Sequence, residues 1–240
     1  MSMKKIIFPI ILIASFFACK KEEVIEPEKT GNIRFSLGYE ADGQTIVTDT
    51  IKYPIDAGYL ISVATLDYYL SEIKLIRYDG VEVTVKDFHY ASLKDAATND
   101  ISCSAPLQGS YKGIRFNIGI DSAHNVPDGL PNTTDNNNMI WPIPMGGGYH
   151  FMKFEGYFSD STGTFGYAMH LGKNENLVKV QLDTNFTIGD NAINIPLVMN
   201  VNEWFRNPYI YDFNVDGNYS MSSGPAMDKL KSNGTDVFHF

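Results

Sequence analysis

Cysteine is scarce in this chain of 240 residues, which contains only Cys19 and Cys103. Cys19 ends an apolar segment near the N-terminus, where a lipid modification is expected. Cys103 is then the one remaining thiol, so an intrachain disulfide is excluded. We expect Cys103 to be a small buried residue, with a soft metal ligand as the alternative.

Basic residues are fewer than acidic ones, with 19 Lys and Arg against 28 Asp and Glu. If residues 1–18 are removed, Lys4 and Lys5 go with them. The basic count then falls to 17 against 28 acidic residues, a net charge of about −11. Nucleic acid is therefore not an expected partner, because its phosphates require a basic surface. An acidic chain is compatible with binding cations.

Long hydrophobic runs are limited to residues 6–17, which are too few for a membrane-spanning helix and typical of a signal peptide. Lys4 and Lys5 precede the run, and Ala18-Cys19 ends it, which resembles a bacterial lipobox. The charged residues 20–23 (KKEE) resemble the surface-export signal of Bacteroidetes lipoproteins. We predict a lipoprotein signal peptide over residues 1–18 and lipidation at Cys19. An ordinary secreted protein with an incidental cysteine is the alternative.

The expected location is the outer membrane, with the protein anchored by lipid and facing the periplasm or the cell surface. Residues 19–30 are charged and have little to bury, so they are expected to form a tether.

Helical periodicity is scarce after the tether, and alternating strand patterns dominate residues 31–240. In residues 111–121 (YKGIRFNIGID) apolar and polar side chains alternate strictly, which predicts a half-buried strand. Asp79-Gly80 between two strand-like runs predicts a hairpin, and residues 159–163 predict another. The predicted fold is all-β, an antiparallel β-sandwich with long loops and minor helical turns. The helical turns are expected in residues 65–73 (TLDYYLSEI) and in residues 224–234, ending at Gly234.

One long segment, residues 121–148, breaks this strand rhythm and contains Trp141, one of two tryptophans. Loops of this length are usually functional or disordered. Trp141 lies between Met139 and Pro142 rather than inside a regular element. Two interpretations remain open: an accessible, chemically used side chain, or an apolar anchor that fixes the loop.

An ordered set of motifs resembles the MbnP-like copper-binding family in its Bacteroidetes branch. The resemblance covers roughly residues 31–240, and its strength lies in the order of the motifs rather than in any one of them. The motifs are Tyr68-Tyr69-Leu70-Ser71, Gly119-Ile120-Asp121, Met139-Ile140-Trp141, Gly148-Tyr149 with Phe151, Lys153, Glu155 and Gly156, and His170-Leu171-Gly172.

The resemblance implies an extracytoplasmic all-β protein that binds copper and is not an enzyme. In better-known members of the family a tryptophan is oxidised to kynurenine by a partner di-haem, peroxidase-like enzyme, and the modified side chain lies with histidines at the copper. Here that residue would be Trp141, held where a partner can reach it. The chain departs from the family pattern at Leu37, where a histidine is frequent, and at Ile143, where a second tryptophan is frequent.

The candidate copper ligands are His170, His150 and Met139, because imidazole and thioether donors suit copper. If the hairpin closes around residues 160–162, His170 lies across from residues 150–152, so His150 or Met152 is its neighbour. Structural histidines and packing methionines are the alternatives. The remaining histidines, expected to be at the surface, are His89, His124 and His239.

A competing cation site is present at residues 212–217, where D-x-N-x-D-G matches the first half of a calcium loop. The twelfth position is Ser223 instead of Glu, so a solvated turn is the preferred interpretation. The chain contains no catalytic motif of the hydrolase, metalloprotease or phosphate-binding type. The alternative to copper binding is a surface lipoprotein whose β-sandwich serves adhesion or protein interaction.

Overall fold

A computed structural model describes residues 28–221 and 223–240. The predicted signal peptide, Cys19 and most of the predicted tether lie outside the described residues. No helix in the described ranges is both long and apolar enough to cross a membrane.

The described residues form thirteen strands and three α-helices. The strands are β1 Ile33–Ala41, β2 Gln44–Thr45, β3 Tyr53–Pro54, β4 Leu60–Ile61, β5 Thr65–Arg77, β6 Glu82–Ser92, β7 Asp100–Ser102, β8 Gly109–Ile118, β9 His150–Ser159, β10 Thr164–Gly172, β11 Val178–Ile188, β12 Ile193–Asn200 and β13 Phe238–His239. The helices are α1 Thr134–Asn138, α2 Phe213–Asp216 and α3 Gly224–Asn233. Short 3₁₀ turns lie at Ala96–Asn99, Ile143–Met145, Asn174–Asn176, Val201–Phe205 and Gly234–Asp236.

Two sheets make an all-β sandwich, as predicted. The smaller sheet has the order β13-β12-β1-β2, with β7 also paired to β1. The larger has the order β11-β8-β5-β9-β4-β3, with β6 paired to β5 and β10 paired to β9. The pairing is antiparallel except between β1 and β12, which run parallel from Ile33↔Ile193 to Glu40↔Asn200. A parallel pair needs a long connection, and here most of the chain lies between β1 and β12.

The core lies between the sheets and is rich in aromatic side chains. Phe238 of the smaller sheet packs against Phe116 and Tyr68 of the larger one, with ring centroids 5.2 and 6.2 Å apart. The alternating strand pattern predicted for residues 31–240 is seen in β1, where Ile33, Phe35 and every second residue after them are buried. Apolar burial of this kind is the main stabilising contribution to such a fold.

Both predicted hairpins are confirmed, as β5–β6 and β9–β10. The predicted C-terminal helix is confirmed as α3, with Ser223 accepting a hydrogen bond from the Ala226 N–H and Gly234 at the C-cap.

Two local predictions are wrong. Residues 65–73 form the first part of strand β5, because this segment is hydrogen-bonded on both sides within the larger sheet. The polar side of β8 is also less exposed than predicted, since Asn117 is buried and donates to Glu72 at 2.9 Å.

Residues 217–221, which we call the edge segment, cover the free side of β10. The Ala168 N–H donates to the Asn218 carbonyl at 2.8 Å, and the Ser220 N–H donates to the Ala168 carbonyl at 3.3 Å. The edge segment therefore closes the β10 edge at the position where the strand carries His170.

Candidate metal centre

The β9–β10 hairpin brings His150 and His170 into contact. Their ring centroids are 5.0 Å apart and the ring planes are nearly perpendicular, at 87°. His170 pairs with Lys153, and a bulge after Leu171 then places Gly172 opposite His150. His170 therefore lies one position beyond the predicted range of residues 150–152, yet His150 is its neighbour as predicted. The other predicted neighbour, Met152, pairs with Leu171.

Hydrogen bonds to acceptors fix the tautomer of each imidazole. His150 donates from Nδ1 to the Met139 carbonyl at 3.1 Å, and His170 donates from Nε2 to the Glu155 carboxylate at 2.7 Å. A carbonyl oxygen or an ionised carboxylate can only accept, so the proton lies on the nitrogen facing it. In a neutral ring the other nitrogen, Nε2 of His150 or Nδ1 of His170, carries the lone pair.

These two nitrogens are buried and have no hydrogen-bond partner among the described residues. Buried polar atoms are normally satisfied, so an orphaned pair on adjacent rings requires a reason. A metal ion that takes imidazole ligands supplies one, since metals bind the unprotonated nitrogen of an imidazole.

Burial lowers the pKa of His150 to about 4, and the neighbouring His170 adds to this effect. His150 is consequently neutral at neutral pH, the state needed for a metal ligand. The pKa of Glu155 is also lowered, mainly by the hydrogen bond from His170. A carboxylate on the far side of a histidine ring orients the ring and makes it a stronger donor.

Trp141 packs directly on this pair, with its ring centroid 4.7 Å from that of His150. Its backbone N–H donates to the Gly148 carbonyl at 2.8 Å, and its indole N–H donates to the Met145 carbonyl at 3.3 Å. The expectation of an accessible tryptophan is wrong, since the side chain is 0% exposed. The long loop folds back against the end of β9 and so places Trp141 in the core.

Gly172 provides the space that Trp141 occupies. A Cβ at Gly172 would lie 2.5 Å from Cε3 of the indole, closer than side-chain carbons approach in proteins. The His170-Leu171-Gly172 motif therefore supplies one imidazole and the surface on which the indole rests.

Ser220 of the edge segment holds the backbone of His170 on both sides. Its hydroxyl accepts from the His170 N–H and donates to the His170 carbonyl, both at 2.6 Å. Ser220 is fully buried. Sequence reasoning missed Ser220 because its contact joins segments fifty residues apart. It also gave no role to Glu155, although Glu155 lies in the Lys-x-Glu-Gly motif.

Met139 lies at the site mainly through its backbone, since its carbonyl accepts from both the His150 N–H and the His150 ring. Its side chain is fully buried. Whether its sulfur is a ligand stays a prediction.

The other three histidines make hydrogen bonds away from this pair. His89 Nε2 bonds the Thr98 carbonyl, His124 Nδ1 bonds Asp121, and His239 Nε2 bonds Glu40. His124 and His239 are exposed, whereas His89 is partly buried, in contrast to its predicted surface position.

Neither competing metal site has free donors. Cys103 is partly buried, and burial raises the pKa of its thiol to about 11, so it is a protonated thiol at neutral pH. At residues 212–217, Asp212 caps helix α2 and accepts from Tyr59, while Asp216 binds Lys229 at 2.7 Å. These carboxylates stabilise a turn, which agrees with the preferred interpretation of the segment.

Within residues 28–221 and 223–240, no three His, Cys, Asp or Glu side chains are grouped closely enough to hold a metal. The donor set at the site is therefore two imidazoles beside an indole, without a third residue of those types. A four-ligand zinc site of the structural kind does not match this set.

A family model described as MbnP matches residues 30–222. The chain belongs to the MbnP family. The resemblance read from the ordered motifs is thereby confirmed at the level of the family.

A solved structure, MbnP from Methylosinus trichosporium, is similar in fold to this MbnP-family chain, with a TM-score of 0.59. The two are 14% identical, and the match covers 88% of this chain and 98% of the other. At that identity the likeness shows the fold alone. A comparison with curated proteins found no match.

The two residues that depart from the MbnP pattern, Leu37 and Ile143, differ in burial. Leu37 is buried on β1 in the smaller sheet, where it contributes packing and no donor. Ile143 is 75% exposed in the 3₁₀ turn that follows Trp141. This MbnP-family protein thus offers the imidazoles of β9 and β10 without a histidine from β1.

Proposed function

We propose that this protein binds copper at His150 and His170. The observation that carries the proposal is the pair of buried nitrogens without a hydrogen-bond partner among the described residues, His150 Nε2 and His170 Nδ1, on adjacent imidazole rings. Imidazole suits copper, whereas Mg²⁺ and Ca²⁺ require oxygen donors. The family membership supports the same ion, and Met139 remains a candidate for a further, thioether ligand.

Three groups of this chain orient the two imidazoles or shield them from water, as copper binding would require. Glu155 orients the His170 ring by accepting a hydrogen bond from Nε2. The Met139 carbonyl does the same for His150 through Nδ1–H. Trp141 covers His150 and keeps bulk water from that side of the ring.

Trp141 is the proposed site of oxidation by a di-haem partner. Its contact with His150 supports this assignment, because a product with ketone and amine groups would place new donors beside the imidazoles. Because the indole is fully buried, a partner does not touch the ring in this conformation. The proposed role of the molecule is copper handling outside the cytoplasm, as a lipid-anchored protein of the outer membrane.

The copper assignment is tested by titrating copper into wild type, His150→Ala and His170→Ala. We expect each variant to bind at least tenfold more weakly, about 1.4 kcal/mol, because each loses one of two donors. His89→Ala is the matched control, since His89 is also partly buried and hydrogen-bonded to a carbonyl. Equal isotherms for all four proteins would overturn the assignment.

A surface lipoprotein that binds another protein without copper is the second candidate. Tyr157 and Tyr219 support it, since they are 53% and 62% exposed and line one groove beside Glu155. Exposed tyrosines are frequent in protein interfaces. Equal copper isotherms in the experiment above would favour this candidate.

A further inference from the structure

A second group of soft donors lies on the other side of the Trp141 loop. Met145, Met221 and Met227 line one cavity of about 380 Å³, which we call the thioether cavity. Met145 belongs to the 3₁₀ turn after Trp141, Met221 to the edge segment and Met227 to helix α3. Three separate segments therefore converge on it, and each contributes a methionine.

These methionines differ from the others that the structure describes. Met139, Met152, Met169 and Met199 are all 0% exposed. That is the ordinary use of the residue, as an adaptable filler of apolar space. Met145 and Met221 are only partly buried where they pack against the core, and Met227 is 4% exposed, yet all three also line the cavity.

The remaining wall of the thioether cavity is polar and suits a cation. The Asn176 side-chain amide donates to the Met227 sulfur at 3.5 Å and to the Gly172 carbonyl at 2.8 Å. This contact orients the Met227 thioether. Glu175 and Asp228 also line the cavity against one cation, Lys173, so the lining carries a net negative charge.

We propose that the thioether cavity is a second metal site, selective for a soft monovalent ion of the Cu(I) class. Thioethers are neutral, soft ligands that favour Cu(I) over zinc or calcium. The site is independent of the histidine pair in its ligands but adjacent to it in space, because the Met145 carbonyl accepts from the Trp141 indole. The proposal goes beyond copper binding at His150 and His170 and is carried by different residues.

Methyl-labelled methionine provides a direct test by NMR, with Ag(I) as a redox-inert ion of the same class. We expect the methyl signals of Met145, Met221 and Met227 to shift as one equivalent binds. The Met199 signal is the internal control, because its sulfur is packed against Trp204 Nε1 at 3.5 Å. Zn²⁺ should leave the three signals in place. Absence of a shift at the three methionines with Ag(I) would overturn the proposal.

Stoichiometry separates the two sites. Cu(I) is measured in competition with a chromophoric Cu(I) chelator, using wild type, the triple variant Met145→Leu/Met221→Leu/Met227→Leu, and the double variant His150→Ala/His170→Ala. Leucine keeps the volume of methionine and removes the sulfur. We expect two bound ions in wild type and one in each variant, and Met199→Leu as control should keep two.

The outcomes distinguish failure of one site from failure of the other. One ion in wild type that is lost only in the histidine variant overturns the thioether cavity and leaves the histidine site standing. One ion that is lost only in the methionine variant supports the cavity and counts against the histidine site. No bound ion in wild type overturns both.

Discussion

At the scale of single residues, the site depends on His150, whose imidazole the fold keeps neutral. His150 is enclosed by Trp141, His170 and the Met139 carbonyl, so a proton on its free nitrogen would be poorly solvated. Its pKa of about 4 in the folded protein compares with about 6.5 for an exposed histidine. Folding therefore favours the neutral ring.

This difference predicts a loss of stability in mild acid. Because the folded-state pKa is the lower one, the contribution of His150 is complete above about pH 6.5. It is lost as pH falls toward about 4, by on the order of 3 kcal/mol. Urea unfolding of the metal-free protein at pH 7 and pH 4.5 measures this loss. His150→Gln, which cannot take up a proton, should lose less stability than wild type over the same interval. An equal loss in both proteins would contradict the assignment to His150.

At the scale of elements, β10 is the strand on which the site is assembled. Its outward face carries Gly166, Ala168, His170 and Gly172, with the edge segment hydrogen-bonded along its free side. Gly172 leaves room for Trp141, and His170 on the same face contacts His150. The effect of a substitution on this face therefore depends on which neighbouring atoms the new side chain would contact.

Gly172→Ala should disturb the site, because the added methyl would overlap the Trp141 ring. Overpacking of this kind costs about 1–3 kcal/mol, and the indole must shift relative to His150. The tryptophan near-ultraviolet signal and the thermal unfolding temperature measure both effects. Gly166→Ala is the matched control on the same face, since its Cβ would meet no atom closer than 3.9 Å. Similar behaviour of the two variants would show that Gly172 does not hold Trp141 in place.

At the scale of the whole molecule, an acidic sandwich is combined with a proposed lipid anchor. The net charge of −9 for the full chain disfavours electrostatic binding to anionic membranes. Attachment would then depend on the lipid at Cys19, which lies outside the described residues. The tether in residues 19–30 would allow the domain to stand clear of the bilayer.

Cys19→Ser should accordingly release the protein from the membrane fraction. The measurement is the distribution between soluble and outer-membrane fractions after a high-salt wash, with Cys103→Ser as the control that retains the anchor. The prediction fails if Cys19→Ser still sediments with outer membranes.

The sequence alone determined the parts of this protein that depend on short-range patterns. Alternation in residues 111–121 specified a strand, Asp79-Gly80 specified a hairpin, and Gly234 marked the end of a helix. The sequence also indicated the family, through motifs that occur in the family's order. It identified His150, His170 and Trp141 as candidate site residues. These inferences succeed because period, turn geometry and capping are local properties of the chain.

Only the tertiary structure decided how those residues meet. The bulge after Leu171 places Gly172 opposite His150 and so brings His150 beside His170. The absence of a side chain at Gly172 leaves room for Trp141, which is buried although its loop position suggested an accessible side chain. The contact of Glu155 with His170 depends on the regular hairpin register before the bulge, in which Ala168 pairs with Glu155 and His170 with Lys153. The thioether cavity depends on three segments that are distant in sequence. Such contacts depend on packing between elements rather than on a pattern within one element, so sequence patterns alone do not specify them.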